Sequence, residues 1–189
     1  WELGLRPEID TLLVTAGSQG ASTVNQMMME LCTRTEGRKT LSEWQVLHLT
    51  GDKDRNAVTQ AYAQAGVQAV VEPFCNQMGL AWAAATVAIS RSGAGSVAEV
   101  WANATPTIFF PYPHHRDEHQ RRNVEPLVNA GAALLMTDRI DPIENASQLF
   151  GPLGALMHNQ TQREKMALVM ETNAPNDGAA TIAGWLMTT

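Results

Sequence analysis

Short apolar runs rich in branched side chains recur along this chain, each followed by a segment with helical patterning. That alternation limits the fold more than any other feature of the sequence. The runs are Thr11–Ala16 (TLLVTA), Gln45–Thr50 (QVLHLT), Ala69–Glu72 (AVVE), Val87–Ser90 (VAIS), Thr107–Phe110 (TIFF) and Ala133–Met136 (ALLM). Runs this short suit strands buried on both faces, and strands that alternate with helices form a parallel sheet covered on both sides. The expected fold class is α/β, a doubly wound, six-stranded parallel Rossmann-like sheet. Helices are predicted over Thr23–Cys32, Asn56–Ala65, Asn76–Ala83, Ser96–Ala102 and Gln120–Ala130, with a carboxy-terminal set from Ile143 onward that ends in Ala179–Met187 packed back on the domain. Met27, Met28, Met29, Met78 and Trp82 stand at helical spacing, where such residues fill a core. Asn173–Gly178 (NAPNDG) reads as a turn or loop.

A chain of 189 residues with 44% hydrophobic and 17% charged residues buries enough apolar surface for one domain. Its net charge of -6 argues against a nucleic-acid partner, whose affinity comes largely from lysine and arginine. Cys32 and Cys75 form neither a CxxC pair nor metal-finger spacing, which fits a reducing compartment. No apolar run approaches the roughly 20 residues that span a bilayer. Residues 1–10 (WELGLRPEID) read as a linker from a missing amino-terminal domain, and 11–189 as the domain itself.

In open parallel sheets ligands bind beyond the carboxyl ends of the strands, and three of those loops are unusual. Gly17-Ser18-Gln19-Gly20-Ala21 follows the first strand; its glycines allow a close backbone approach, although a plain turn explains them equally. It has neither the lysine of a P-loop nor a GxGxxG pattern. Arg91-Ser92-Gly93-Ala94-Gly95-Ser96 leads into a helix whose amino-terminal amides suit phosphate oxygens. Glu99, three residues after Ser96, has two readings: partner in a capping box, or acceptor for the hydroxyls of a ribose. The third loop, Pro111–Asn123 (PYPHHRDEHQRRN), is polar. His114, Asp117 and His119 lack metal-binding spacing; the segment reads either as a plain solvated loop or, through Asp117, His119 and Gln120, as a place for sugar hydroxyls.

Taken in order, GSQGA, RSGAGSVAE, DEHQRRN and the later NAGAALL (Asn129–Leu135) resemble the carboxy-terminal domain of the MurG family of bacterial glycosyltransferases, family 28 with the GT-B arrangement, over nearly the whole chain. The resemblance implies a domain that binds UDP-N-acetylglucosamine as donor for an inverting transfer to lipid I, giving lipid II in peptidoglycan synthesis. By position it implies Ser18, with Gln19 and Gly20, at the diphosphate, and Arg91 and Ser92 along the nucleotide. Gly93, Ala94, Gly95 and Ser96 would receive the phosphates, Glu99 the ribose diol, and His119 and Gln120 the sugar hydroxyls. Backbone near Phe74 and Cys75 would hold the uracil.

The same resemblance implies no catalytic residue in this chain, the base and the lipid I site lying in the missing amino-terminal domain. It implies no metal and no cofactor beyond the substrate, and a peripheral place on the cytoplasmic side of the bacterial inner membrane that only the intact protein would take. Two departures stand out: Ala16 where relatives often carry glycine, and the basic His114-His115-Arg116. Alternatives are a GT-B transferase or subunit with another lipid acceptor, and a nucleotide-sugar-binding module without transfer chemistry.

Overall fold

Leu12 and Leu13 are neighbours in the first strand and both fully buried, yet they belong to different cores. Successive side chains of a strand point to opposite faces, so an unbroken apolar run needs cover on both sides. In the computed structural model, which describes residues 3–15, 22–113 and 118–173, helices supply that cover. The strands are β1 (Thr11–Thr15), β2 (Gln45–Leu49), β3 (Gln68–Glu72), β4 (Val87–Ser90), β5 (Thr107–Phe109) and β6 (Ala133–Leu135). The helices are α1 (Ser22–Thr33), α2 (Thr35–Leu41), α3 (Arg55–Ala65), α4 (Met78–Ala84), α5 (Ala94–Asn103), α6 (His119–Asn129), α7 (Pro142–His158) and α8 (Gln160–Thr172).

The strands form one parallel six-stranded sheet in the order β3-β2-β1-β4-β5-β6. On one face Leu12, Val14, Val46, Ile89 and Ile108 pack with Met27, Met28 and Leu31 of α1, Tyr62 of α3 and Leu149 and Leu153 of α7. On the other, Leu13, Leu47, Ala88 and Phe109 pack with Trp82 of α4, Val97 and Val100 of α5 and Leu127 of α6. Met27, Met28 and Trp82 are thus core residues, with Met29 and Met78 half-buried beside them.

The expected strands all form, ending within a residue of their predicted bounds. The sequence pattern does not predict one helix, α2, whose polar sequence TEGRKTL holds a single large apolar residue, Leu41. It folds back on the end of α1 because residue 37 is glycine; a Cβ there would stand 2.1 Å from the Leu31 carbonyl oxygen. The predicted helix Ala179–Met187 and all but the first residue of the turn Asn173–Gly178 lie outside the described residues. Before β1, Arg6 is tied to Gln45 by its backbone N–H, which donates to Oε1 at 2.9 Å, and by its carbonyl, which accepts from Nε2 at 2.7 Å.

The strand order reverses between β1 and β4: the chain leaves β1 toward β2 on one side and leaves β4 toward β5 on the other. The loops after β1 and β4 therefore diverge, and the crevice between them is where an open parallel sheet receives a ligand.

Candidate donor site at the carboxyl edge of the sheet

The loop after β4 is three residues long, Arg91, Ser92 and Gly93, and then α5 begins. Gly93 is the residue before the first helical turn, in extended conformation (φ -61°, ψ 150°), and among the described residues no side chain caps the helix. Inside the helix the Val97 N–H reaches the Gly93 carbonyl at 3.0 Å, so the amides of Ala94, Gly95 and Ser96 precede the helical ladder. They carry the positive end of the helix dipole. A Cβ built on Gly93 or Gly95 meets no described atom within 4 Å, so among the described residues nothing covers these amides.

The same geometry changes the reading of Ser96 and Glu99. The helix starts two residues earlier than Ser96–Ala102 implies, so Ser96 sits within its first turn and caps nothing. A capping box requires serine at the cap itself, so that explanation of Glu99 is removed. Glu99 stands in the second turn, half-buried, and its Oε2 accepts a hydrogen bond of 3.0 Å from Nε1 of Trp82, a buried residue of α4.

Arg91 and Ser92 are both buried. The Arg91 guanidinium lies in a clasp beneath the loops: Nη2 pairs with Oδ2 of Asp138 at 2.7 Å and donates to Oγ1 of Thr23 at 2.5 Å, while Nη1 donates to the carbonyls of Phe110 (2.7 Å) and Pro111 (3.1 Å). The Thr23 hydroxyl in turn donates to Oδ2 of Asp138 at 2.7 Å, and Oδ1 of Asp138 accepts from the Ile140 amide and from Nδ2 of Asn145, each at 2.8 Å. Burial works to raise the Asp138 pKa, but the hydrogen bonds from Thr23, Ile140 and Asn145 and the charge of Arg91 together hold it below the usual carboxylate value. Ile140 has φ +63°, a strained conformation for a β-branched residue that its bond to Asp138 helps maintain. One charged side chain thus joins the loops after β4, β5 and β6 to the start of α1. Arg91 is in the expected loop, with its charge matched by Asp138 instead of presented outward; its Nε and the Ser92 Oγ have no hydrogen-bond partner among the described residues.

His119 and Gln120 open α6. Oε1 of Gln120 accepts from the Tyr112 amide at 2.8 Å, which fixes the side-chain amide and ties the loop after β5 to the helix start. Asn123, one turn on, donates from Nδ2 to the Ser92 carbonyl at 3.0 Å, and so joins α6 to the loop after β4. His119 is exposed. Between the loops after β5 and β6 lies a hollow of about 200 Å³, lined in part by Tyr112, Glu118, Arg121 and Thr137.

After β3, Phe74 is 57% exposed and, with Cys75, Asn76 and Gln77, borders a groove of about 510 Å³. Ser18, Gln19 and Gly20 lie outside the described residues, as do His114 and Asp117. The loop that holds Ser18 is bracketed by Thr15 of β1 and Ser22 of α1, and Ser22 is anchored by Asp54, whose Oδ2 accepts from Ser22 Oγ and from Asn25 Nδ2, each at 2.8 Å. Asn25 also reaches a fully buried histidine: His48 Nε2 lies 3.0 Å from Asn25 Oδ1, and Nδ1 lies 3.0 Å from the Tyr62 hydroxyl. Because the Asn25 amide already donates to Thr50 O and Asp54, its oxygen must accept, so the Nε2 of His48 carries the proton. Burial lowers the pKa of His48 to about 3, against a smaller opposing effect of Asp54.

Sequence reasoning missed Thr23, Trp82, Asp138 and Asn145. No local pattern signals them: Thr23, Trp82 and Asn145 stand within α1, α4 and α7, and only Asp138 lies in a loop at a strand end. Another groove, of about 520 Å³, lies at the opposite, amino-terminal edge of the sheet against Leu5, Arg6, Asp10 and Thr86, remote from these loops. Among the described residues no group of three or more histidine, cysteine, aspartate or glutamate side chains is placed to hold a metal ion. No helix among them is long and apolar enough to cross a membrane.

The family model of the glycosyltransferase family 28 C-terminal domain matches residues 11–182. The chain belongs to this family. Family 28 relatives include the UDP-N-acetylglucosamine--N-acetylmuramyl-(pentapeptide) pyrophosphoryl-undecaprenol N-acetylglucosamine transferase of Desulfotalea psychrophila, 37% identical over 172 residues that make up 91% of this chain and 46% of the relative. The enzyme of that name from Geobacter sp. (strain M21) is 41% identical over 130 residues, 68% of this chain and 34% of its own. Among solved structures, MurG of Acinetobacter baumannii superposes with a TM-score of 0.81 at 25% identity, over 100% of this chain and 52% of that one. This family 28 chain therefore spans about half the length, or less, of the relatives it matches.

Proposed function

We propose that the chain is the donor-binding half of an inverting glycosyltransferase that moves N-acetylglucosamine from UDP-N-acetylglucosamine to lipid I, giving lipid II in peptidoglycan synthesis. The observation that carries this reading is the open, uncapped amino terminus of α5 at the β1/β4 switch, with a carboxylate held one turn further along the same helix. Helix-end amides suit the diphosphate, and Glu99 suits the ribose diol. The names of the relatives and of the family agree with it.

Under this reading residues 11–189 form the donor domain and 1–10 the linker to an acceptor domain. Gly93 to Ser96 and the Ser18-Gln19-Gly20 loop receive the diphosphate, the loop at Phe74 and Cys75 lies along the uracil, and His119 and Gln120 meet the sugar. The Gln120 amide nitrogen serves as donor there, because its oxygen already accepts from Tyr112. Arg91 and Ser92 shape the loop from below. As the bond to UDP breaks, negative charge grows on the diphosphate, and preorganised amides at α5 stabilise it without reorganising. A base for the acceptor hydroxyl and the contact with the cytoplasmic face of the membrane belong to the acceptor half.

Calorimetric titration of the chain with UDP-N-acetylglucosamine, UDP-glucose, UDP and GDP tests the reading. Uridine nucleotides are expected to bind and GDP to bind more weakly; tighter binding of GDP overturns the donor assignment.

A further inference from the structure

Glu99 has a supporter on another helix. Trp82 is 2% exposed and packs in the same apolar cluster as Val97 and Val100 of α5, so its indole is locked by the core. Its single polar atom, Nε1, donates to Oε2 of Glu99 at 3.0 Å. An indole N–H can only donate, and a carboxylate with one oxygen so held keeps the other for a second partner. Oε1 accepts no hydrogen bond from any described residue. Trp82 lies in α4, which begins directly after Phe74–Gln77, the segment that borders the groove beyond β3. The same rigid element therefore carries the loop at one part of the crevice and the donor that orients the carboxylate at another.

We propose that Trp82 is a positioning residue: its indole N–H holds the Glu99 carboxylate in the one orientation that accepts the ribose diol, and so makes the site select ribose over deoxyribose. This rests on the donor reading above. Without the indole the carboxylate swings among rotamers and takes up water, and its bond to the sugar hydroxyls loses its preorganisation.

The test compares the affinities of the full chain for UDP and for 2′-deoxy-UDP, in the wild type and in Trp82→Phe. The ratio of the two affinities cancels any general loosening of the fold. The wild type is expected to prefer UDP about tenfold, as suits one hydrogen bond to a charged group, and Trp82→Phe to reduce the preference to about twofold or less. A ribose preference that survives Trp82→Phe overturns the role of Trp82 alone. Equal binding of both nucleotides by the wild type overturns the proposal at Glu99, and binding of neither overturns the donor reading itself.

Because loss of a buried indole can unfold the chain, the indole N–H resonances of the five tryptophans give a second readout in protein that retains Trp82. One slowly exchanging signal is expected to move on Glu99→Ala, and to move more with UDP than with the deoxy analogue. Indole signals that Glu99→Ala leaves unchanged overturn the proposal.

Discussion

His48 shows how a single buried residue links pH to stability. Its pKa falls from 6.5 to about 3 because burial disfavours the charged ring. The unfolded chain therefore binds a proton below about pH 6.5 that the folded chain refuses until about pH 3, so the stability contributed by neutral His48 is full above 6.5 and is lost as pH falls through that window. Between pH 7 and 4.5 this amounts to about 2–3 kcal/mol. His48→Gln keeps a donor and an acceptor for Asn25 and Tyr62 without titrating, and urea denaturation of that variant is expected to show a much flatter dependence over the same range.

Asp138 behaves in the opposite chemical sense. Its lowered pKa means that its contribution is present at neutral pH and is lost only as pH falls below the ordinary carboxylate value toward its folded pKa. Asp138→Asn leaves the Arg91 charge buried without its counter-ion, at a cost of about 3 kcal/mol or more. Thermal unfolding at pH 7 measures it.

At the scale of elements, α5 carries a conflict that separates binding from stability. A carboxylate at position 95 fits the open space there and is favoured by the helix dipole, worth about 0.3–1 kcal/mol. The same carboxylate repels a diphosphate. Gly95→Asp is therefore expected to leave the melting temperature unchanged or raised while UDP affinity falls at least about tenfold, a split that calorimetry and thermal denaturation read together. In α2 the constraint is steric. Gly37→Ala drives a methyl group into the Leu31 carbonyl, and the expected outcome is a loss of about 1–3 kcal/mol by urea denaturation, with α1 and α2 pushed apart.

The strands were legible because their apolar runs are continuous, and α2 was not because TEGRKTL presents almost no apolar face. The start of α5 escapes local reading for a related reason. Ala94 favours a helix, but the glycines on either side of it, Gly93 and Gly95, do not, so local signals place the start at Ser96 whereas the tertiary fold places it at Ala94.

For the whole molecule, the sheet order follows from six parallel strands and one reversal, and it brings together loops that are far apart in sequence. What no local pattern carries is which side chains bridge those loops. Arg91 and Asp138 are separated by most of two βα units, and only the adjacency of β4, β5 and β6 brings the pair within 2.7 Å. Glu99 and Trp82 are closer in sequence, yet their bond depends on how α4 and α5 lie side by side under the sheet. The motif residues were visible as candidates for contact with a ligand. The residues that hold them in place were not, since a buried aspartate or tryptophan in a loop or helix looks the same in sequence whether it supports a site or a core.

The clasp around Arg91 also limits how such a site changes over time or by engineering. A new sugar preference introduced by grafting only the loop after β5 brings along carbonyls that must still meet the old arginine, and a graft after β6 must still present a carboxylate at position 138. Under the proposed donor reading, a change of donor on this scaffold therefore requires these segments to be exchanged together.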